Sequence, residues 1–450
     1  MKSKRKLTLV ALVFVIAGSV LHAQQNPDPA VWEKEYTGSV SQQLSRRRAE
    51  LTRLDQELQT TNPDYVVYVP KVKPEVLGDC YNDHFEVFSK PDGTLFALCC
   101  QATCEGYLDA HVTFFRSVDQ GKTWSEPKVL AGPACVDKSV PIATYGFPMV
   151  SKSGRIYVLY TQFVPGKVAN IRQHTGLMMG IYSDDNGDTW SEPQQVSMPR
   201  SCYDADDPSI PSSWVVWQKP LRLGSDHKYF VGVTRYVAPK YYSKFSTISE
   251  FIQFENIDDD PQPSDIKASW FATNDDALRV GAHCEEPSIV KLPDNRLFAL
   301  MRTSNRSPFW SVSSDGGKTW TKPEPLRDRD GGSLIFHPLS PCPIYDRYEG
   351  DCGSGFYFTF VHREADEDPK SVYGKRGPLD LLAGKFQPDA HQPIWFAKPQ
   401  PFVSRPAEQS FYCSTTVVDG KTVLWYPDTK FFLLGRVIGD EWFQAWEKSE

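Results

Sequence analysis

An eight-residue segment occurs three times, and its spacing constrains the fold more than any other feature of the chain. The copies share the pattern Ser-x-Asp-x-Gly-x-Thr-Trp and are SVDQGKTW (117–124), SDDNGDTW (183–190) and SSDGGKTW (313–320). Their starts are separated by about one and then about two periods of roughly 65 residues, which is typical of stacked supersecondary units. Asp-x-Gly favours a turn, and we expect Thr-Trp to begin a strand whose indole fills the gap to the neighbouring unit. We interpret the segment as a structural turn at the rim.

A turn followed by an apolar strand recurs six times and predicts an all-β, six-bladed β-propeller over residues 63–450. The six copies are PDGTLFAL (91–98), SGRIYVLY (153–160), GSDHKYFVGV (224–233), PDNRLFALM (293–301), GSGFYFTFV (353–361) and DGKTVLWY (419–426). The early segment DYVVYV (64–69) is expected to pair with the last blade and close the ring, which would protect an exposed strand edge.

The residues before the propeller predict a signal and a helix. Residues 1–23 combine basic residues with an apolar run, as in a secretory signal peptide, so we expect an exported protein, periplasmic or secreted. No later segment has the length of apolar chain that a membrane span needs. Within the extension 24–62, residues 30–61 have leucines at helical spacing.

The net charge and the cysteine spacing indicate which kinds of partner and cofactor to expect. The net charge is −7 without a basic stripe, which argues against nucleic acid, and a glycan is the expected partner of a monomeric protein. The ten cysteines include no CxxC pair followed by a second ligand pair, so we expect no metal and no cofactor. We expect core thiols or disulfides; Cys342 and Cys352 could close a short loop, but the connectivity stays open.

Ionisable side chains recur beside the predicted axis. Nine residues before the turn of a blade stand His84 in blade 1, Tyr145 in blade 2 and Glu286 in blade 4, and Tyr412 lies next to the matching position in blade 6. Such side chains are unusual in a packed core, so they indicate a site. The matching stretches of blades 3 and 5 and the ends of two second strands add further candidates, namely Asp206, Asp207, His337, Arg302 and Arg363.

The repeats, the blades and two local segments resemble the sialidase (neuraminidase) superfamily. EPSIVKLPDNRLFALMR (286–302) is similar to the sialidase segment in which a Glu precedes an Arg of the carboxylate-binding triad. YCSTTVVDGKTVLWY (412–426) is similar to the segment that carries the nucleophilic Tyr.

This resemblance implies a role for each candidate residue. Tyr412 would be the nucleophile and Glu286 its base, while Arg302 and Arg363 would bind a substrate carboxylate. Asp109 would protonate the leaving group, with Glu105 as the second candidate. The remaining side chains would contact substrate, and they are His84, Tyr145, Asp206 and His337.

Two departures from the sialidase pattern bear on the substrate. The first triad Arg is replaced in the segment Asp83-His84-Phe85-Glu86, and the Glu that closes the last-blade motif is replaced by Pro427-Asp428. We therefore expect an exo-acting glycoside hydrolase for an acidic sugar, with poor activity on sialosides.

Two other functions stay open. One is a uronate-directed lyase, in which an Arg neutralises the carboxylate while histidines and a tyrosine move the proton. Its candidate residues are His84, His111, Tyr145 and His174. The other is a non-catalytic glycan- or protein-binding propeller, because a fold does not determine a function.

Overall fold

The computed structural model describes residues 29–447 except 73–77, 91, 134–138, 170, 224–227, 349–352, 364–375, 405–408 and 410. The predicted signal peptide, 1–23, lies outside these residues. The predicted helix is confirmed as two helices, α1 (Pro29–Leu51) and α2 (Leu54–Thr61). Their leucines pack against the core that blades 5 and 6 share. In the part of the chain that the structure describes, no helix is long and apolar enough to cross a membrane.

Six antiparallel sheets follow one another along the chain and confirm the predicted six-bladed propeller. One strand, β1 (Tyr65–Tyr68), precedes them. The strands of blades 1 to 3 are β2 (Tyr81–Ser89), β3 (Leu95–Ala102), β4 (His111–Ser117), β5 (Lys128–Ala131), β6 (Ala143–Val150), β7 (Ile156–Phe163), β8 (Gly176–Ser183), β9 (Gln194–Gln195), β10 (Ser213–Val215), β11 (Leu221–Leu223), β12 (Lys228–Tyr236), β13 (Thr247–Phe254) and β14 (Ala268–Phe271).

Blades 4 to 6 complete the ring. Their strands are β15 (Cys284–Lys291), β16 (Leu297–Thr303), β17 (Phe309–Ser313), β18 (Glu324–Pro325), β19 (Ile344–Asp346), β20 (Phe356–His362), β21 (Leu379–Phe386), β22 (Ile394–Phe396), β23 (Gln400–Val403), β24 (Ser414–Val418), β25 (Lys421–Asp428) and β26 (Phe432–Ile438). Short 3₁₀ helices lie at Pro239–Tyr241, Ile257–Asp259, Pro263–Asp265, Asn274–Asp276 and Asp440–Phe443, and α3 (Gln444–Glu447) follows the last of these.

The first strand closes the ring, as the sequence predicts. β1 pairs antiparallel with β26, with Tyr65 opposite Gly435, so the last sheet has the order β1, β26, β25, β24. The outermost strand of blade 6 is thereby supplied by a segment from the beginning of the propeller, which ties the two ends of the ring together.

The repeated segment is a turn between the third and fourth strands of blades 1, 2 and 4. In the first copy the Asp119 carboxylate accepts hydrogen bonds from the amide and hydroxyl of Thr123 at 2.9 and 2.6 Å. Thr and Trp do not begin a strand, contrary to our expectation, because the Thr123 amide donates to Asp119 inside the turn and not to a neighbouring strand. The indole of Trp124 also donates to the carbonyl of Gly121. The predicted role of the indole is confirmed, since each Trp packs on an aromatic residue of the preceding blade. The pairs are Trp124–Trp425, Trp190–Phe114 and Trp320–Phe251.

The described cysteines are thiols. Eight of them are free and seven of these are buried, in agreement with the expectation of core thiols. Cys342 is among the buried ones, and Cys135 and Cys352 lie outside the described residues.

Candidate active site

Three inner strands carry the same backbone irregularity at the position predicted to face the axis. In β2, β6 and β15 one extra residue interrupts the pairing with the second strand and forms a β-bulge. The first residue of the bulge is His84, Tyr145 or Glu286, with φ of 51°, 55° and 53°. A non-glycine residue in this left-handed region costs on the order of 1–2 kcal/mol, and a bulge re-aims the side chain. The nine-residue offset in the sequence therefore marks a structural equivalence.

Aromatic rings connect these positions around the axis. The imidazole of His84 stacks on Tyr412 with centroids 4.5 Å apart and meets Tyr145 edge-on at 4.4 Å. Tyr145 lies 5.5 Å from His174, which stacks on Tyr236 at 4.1 Å. The axial cluster, as we define it, consists of His84, Tyr145, His174, Tyr236, Glu286, Arg302 and Tyr412.

Tyr412 and Glu286 meet at the centre of the axial cluster. The Tyr412 hydroxyl donates a hydrogen bond of 2.7 Å to Glu286 Oε1. Arg302 Nη1 donates to the same oxygen at 2.8 Å and to the Tyr412 hydroxyl oxygen at 3.0 Å, while its Nε lies 3.2 Å from Glu285 Oε1. Tyr412 and Glu286 are 7% and 3% exposed. Two carboxylates and a phenol oxygen are thus held by one guanidinium group.

Burial sets the protonation states of the cluster. Burial and the charge of Glu286 raise the pKa of Tyr412 well above its usual value, against the effect of Arg302. Tyr412 is therefore a neutral phenol that needs a base to become a nucleophile. Burial also lowers the pKa of His84 to about 3, although Glu286 opposes this. His84 is a neutral imidazole, and neither of its nitrogens has a hydrogen-bond partner within the described residues.

Lys430 brings a further positive charge to the edge of the axial cluster. Its Nζ lies 3.2 Å from Asp83 Oδ2, 3.2 Å from Glu105 Oε2 and 5.2 Å from the centroid of the Tyr412 ring. Burial raises the pKa of Asp83 to about 6, while Lys430 acts in the opposite direction. Tyr81 donates a 2.7 Å hydrogen bond to Asp83 Oδ2. The site therefore contains a carboxyl group that can hold a proton at mildly acidic pH.

Asp109 lies inside the loop after β3 and not in the axial cluster. Its fully buried carboxylate accepts hydrogen bonds from the Thr103 amide at 3.0 and 3.2 Å and from the Thr103 hydroxyl at 2.5 Å. Its backbone carbonyl lies 2.7 Å from Nδ1 of His111. Asp109 thus braces a loop, and this geometry gives no support to its predicted role as the acid. Glu105, the second candidate, has a half-exposed side chain and contacts Lys430.

The predicted placement of Asp206 and Asp207 at the axis of blade 3 is wrong. Asp206 has a side chain that is 84% exposed and pairs with Lys240, and Asp207 accepts a hydrogen bond from the Ser209 amide. The inner strand of this blade is split into β10 and β11, which both pair with β12. The end of β12 supplies Tyr236 to the cluster instead. Sequence reasoning missed Tyr236, although counting to the end of the second strand, as for Arg302, could have found it.

Both predicted residues of blade 5 contact groups of the protein itself. Arg363 is held by Asp380, with 3.0 Å between Nε and Oδ1, so its guanidinium has a carboxylate partner already. His337 is buried, and its Nε2 lies 3.2 and 3.1 Å from the carbonyl oxygens of Ser340 and Pro341. The substrate-binding roles of Arg363 and His337 stay predictions.

The charge of Arg376, which sequence reasoning missed, affects the pKa of a carboxyl group in the candidate site. Burial raises the pKa of Glu285, and the charges of Arg302 and Arg376 oppose this increase. Arg376 follows an undescribed segment and has no periodic signal that could have indicated it.

A cavity of about 680 Å³ lies further along the inner strands and is separate from the axial cluster. Its lining includes residues that closely follow cluster positions in the sequence, among them Glu86, Pro287 and Ser414. Trp217 lies between the cavity and the axial cluster. Its indole meets the ring of Tyr412, in the cluster, edge-on at 5.8 Å and donates to the carbonyl of Pro287, which lines the cavity. This cavity is therefore not where the reactive groups meet.

More than half of the chain matches a known family. The profile of the BNR repeat-like domain matches residues 93–335, a range that contains all three copies of the repeated segment. No curated protein sequence matches the chain.

Solved structures of sialidases share the architecture. A Hadza microbial sialidase is similar with a TM-score of 0.56 and 13% identity, over 81% of this chain and 66% of that one. The leech intramolecular trans-sialidase, complexed with 2,7-anhydro-Neu5Ac, gives a TM-score of 0.58 and 14% identity, over 85% and 71%. A protein of unknown function from Dyadobacter fermentans gives a TM-score of 0.54 and 15% identity, over 83% of this chain and 96% of that one. Similarity at these identities establishes the fold. The chain belongs to the BNR repeat-like domain family and folds as a sialidase-like six-bladed β-propeller.

Proposed function

We propose that this protein is a glycan-processing enzyme that hydrolyses the glycosidic bond of an acidic sugar, with Tyr412 as the nucleophile. The observation that carries the proposal is the buried 2.7 Å hydrogen bond between Tyr412 and Glu286, which Arg302 reinforces. A carboxylate nucleophile would be repelled by an acidic group next to the anomeric carbon, whereas a neutral phenol is not.

In the proposed first step the phenol oxygen of Tyr412 attacks the anomeric carbon while Glu286 accepts the phenolic proton. The bond to the leaving oxygen breaks, and that oxygen takes a proton from the enzyme. The Arg302 N–H that already contacts the phenol oxygen stabilises the negative charge that develops on it. In the second step water attacks the anomeric carbon and gives a proton to the carboxylate that protonated the leaving oxygen, while the bond to Tyr412 breaks and Glu286 returns the proton to the phenol.

We assign the proton donor to Asp83 in place of Asp109. Both oxygens of Asp109 are engaged by Thr103, whereas Oδ1 of Asp83 has no hydrogen-bond partner among the described residues. A general acid works best when its pKa lies near the operating pH, and the pKa of Asp83, raised to about 6, satisfies this condition. The composition of residues 1–23 supports the further proposal that the enzyme works after export, in the periplasm or outside the cell.

A substrate screen tests the proposal. Purified protein is incubated with sialylated, uronate-containing and sulfated glycans, and the products are identified by mass. Release of an acidic sugar with addition of one water is the expected result. Retention of a glycan on an affinity column without any product would instead indicate a non-catalytic binding propeller.

The state of His84 supports a uronate lyase as the second candidate. A lyase needs a neutral base near a uronate whose carboxylate is neutralised by a cation. The imidazole of His84 fits that need, since it lies beside Tyr145 and its nitrogens have no hydrogen-bond partner among the described residues. The product of a lyase contains a new conjugated double bond and absorbs in the ultraviolet, whereas the product of a hydrolase does not. Absorbance during the same screen separates the two reactions.

A further inference from the structure

The turn between β25 and β26 places a cation beside the candidate nucleophile. Lys430 has a side chain that is 16% exposed, and its Nζ lies within 3.2 Å of both Asp83 and Glu105. It also lies above the ring of Tyr412. The two carboxylates differ, because the side chain of Asp83 is 1% exposed and that of Glu105 is 54% exposed. Glu105 is therefore the partner that an incoming anion can displace.

Arg302 alone is poorly placed to balance a substrate carboxylate. Its Nη1 and Nε already face Glu286 and Glu285, so its charge is matched twice within the site. Arg363 is paired with Asp380. A cation whose partner is exposed and exchangeable, such as Lys430, can accept a new anion at a lower cost of desolvation.

The backbone that carries Lys430 is strained. Thr429 and Lys430 are consecutive non-glycine residues with φ of 52° and 54°, in the left-handed region that disfavours side chains. Such a conformation persists only where surrounding contacts fix it.

A residue of the N-terminal helix supplies those contacts. Arg47 of α1 donates from Nη2 to the carbonyl oxygens of Thr429 at 2.8 Å and Lys430 at 3.4 Å, and from Nε to the carbonyl of Cys80 at 3.1 Å. Its guanidinium also lies 4.3 Å from the centroid of the Phe431 ring. Arg47 is buried, and Glu50 on the same helix balances its charge at 2.8 Å.

We propose that Lys430 binds the acidic group of the substrate by displacing Glu105, and that Arg47 is the positioning residue that holds Lys430 in place. This inference rests on the proposed function and deepens it, because it names the cation that selects an acidic sugar. It also gives the helical extension a part in building the site.

The experiment combines kinetics, direct binding and chemical labelling. Lys430→Met and Lys430→Arg are compared on whichever acidic glycan the wild-type protein cleaves. Lys430→Met is expected to raise KM at least about tenfold with a smaller change in kcat, and Lys430→Arg is expected to recover most of the loss. Affinities for glucuronic, galacturonic and N-acetylneuraminic acids are measured by calorimetry, and a bound sugar is expected to protect Lys430 from an amine-reactive reagent read by mass spectrometry.

Arg47→Met tests the positioning role, with the exposed neighbour Arg48→Met as the matched control. Arg47→Met is expected to raise KM and to increase the labelling rate of Lys430 several-fold, whereas Arg48→Met leaves both unchanged. A lower melting temperature with unaltered KM and labelling would reduce Arg47 to a structural residue and overturn its part of the proposal.

The outcomes separate this inference from the proposed function. If the wild-type protein cleaves or binds an acidic sugar and Lys430→Met does so equally well, the assignment of Lys430 is overturned while the proposed function stands. If the wild-type protein neither cleaves nor binds any acidic sugar, the proposed function itself fails and this inference falls with it.

Discussion

The hydroxyl of Tyr412 donates a 2.7 Å hydrogen bond to Glu286 across 126 positions of sequence. One residue precedes the inner strand of blade 6, and the other begins a bulge in blade 4. The contact exists only because the ring brings both blades to the axis. It pairs a phenol that burial keeps neutral with a carboxylate able to deprotonate it.

Loss of either partner is expected to abolish turnover. Glu286→Gln removes the base and Tyr412→Phe removes the nucleophile, so each is expected to lower kcat/KM by about a thousandfold or more. Near-ultraviolet circular dichroism should still report the native fold. Tyr160→Phe is the control, because it removes a buried hydroxyl that has no partner among the described residues. Wild-type rates in both site variants would rule out the Tyr/Glu mechanism.

Sialosides are expected to be poor substrates. His84, a neutral imidazole, stands where the sialidase pattern has a guanidinium group, so one carboxylate contact is missing. The kcat/KM for sialoside cleavage is expected to be about a hundredfold below that for the preferred acidic glycan, since one charge-assisted contact is worth about 1.5–3 kcal/mol. Competition between the two substrates, read by product mass, measures the ratio. Efficient release of sialic acid would contradict the prediction.

The pH profile should show the titration of Asp83. A proton donor whose pKa is about 6 is loaded below that pH and empty above it, so kcat is expected to fall as the pH rises through 6. Asp83→Asn is expected to have low activity without this inflection, and Asp92→Asn, on the exposed turn after β2, should keep the wild-type profile. Finding the same inflection in Asp83→Asn would assign it to another group.

Glu86 is expected to make the protein less stable in alkali. Burial raises the pKa of Glu86 to about 8, from an ordinary 4.5. Folding therefore favours the protonated form, and the stability that this contributes is complete below pH 4.5 and lost as the pH rises through 8. Glu86→Gln is expected to be more stable than the wild-type protein at pH 9 by a few kcal/mol, to order of magnitude, with a smaller gain at pH 5.

Denaturant unfolding at pH 5, 7 and 9 measures this difference. Glu192→Gln, which changes an exposed carboxylate, is the control and should show little change at any pH. An equal shift for Glu86→Gln at all three values would mean that Glu86 does not titrate in this range.

Two adjacent glycines in the third repeat offer a matched test of packing. Both Gly316 and Gly317 have positive φ, at 75° and 90°. A Cβ on Gly316 would meet nothing within 4 Å, whereas a Cβ on Gly317 would lie 2.2 Å from the Phe230 ring in the preceding blade. Gly316→Ala is expected to cost about 1 kcal/mol from backbone strain, and Gly317→Ala clearly more. Equal melting temperatures for the two variants would show that the turn can move away from blade 3.

The sequence predicts the fold because the fold is periodic. Copies of a turn at a common spacing identify the blades, and the same spacing locates His84, Tyr145 and Glu286 because each occupies the same bulge. Asp206 was misplaced for the converse reason: blade 3 divides its inner strand, so the offset no longer counts along one continuous strand.

The groups that escaped prediction depend on contacts between distant segments. Lys430 lies in a turn that is fixed by Arg47, which belongs to a helix outside the propeller. The carboxylate of Asp109 is hydrogen-bonded to Thr103, and no pattern of residue types predicts that contact. Local pattern therefore located the positions that the backbone geometry repeats, and tertiary contacts decided the others.

The three matching bulges separate orientation from chemistry. Each presents its first side chain to the axial cluster at nearly the same φ, whether that side chain is an imidazole, a phenol or a carboxylate. The main chain thus fixes the direction of the side chain at these three positions, whatever the residue type. Substitutions at these positions alone would give a relative a different specificity without any change in the backbone.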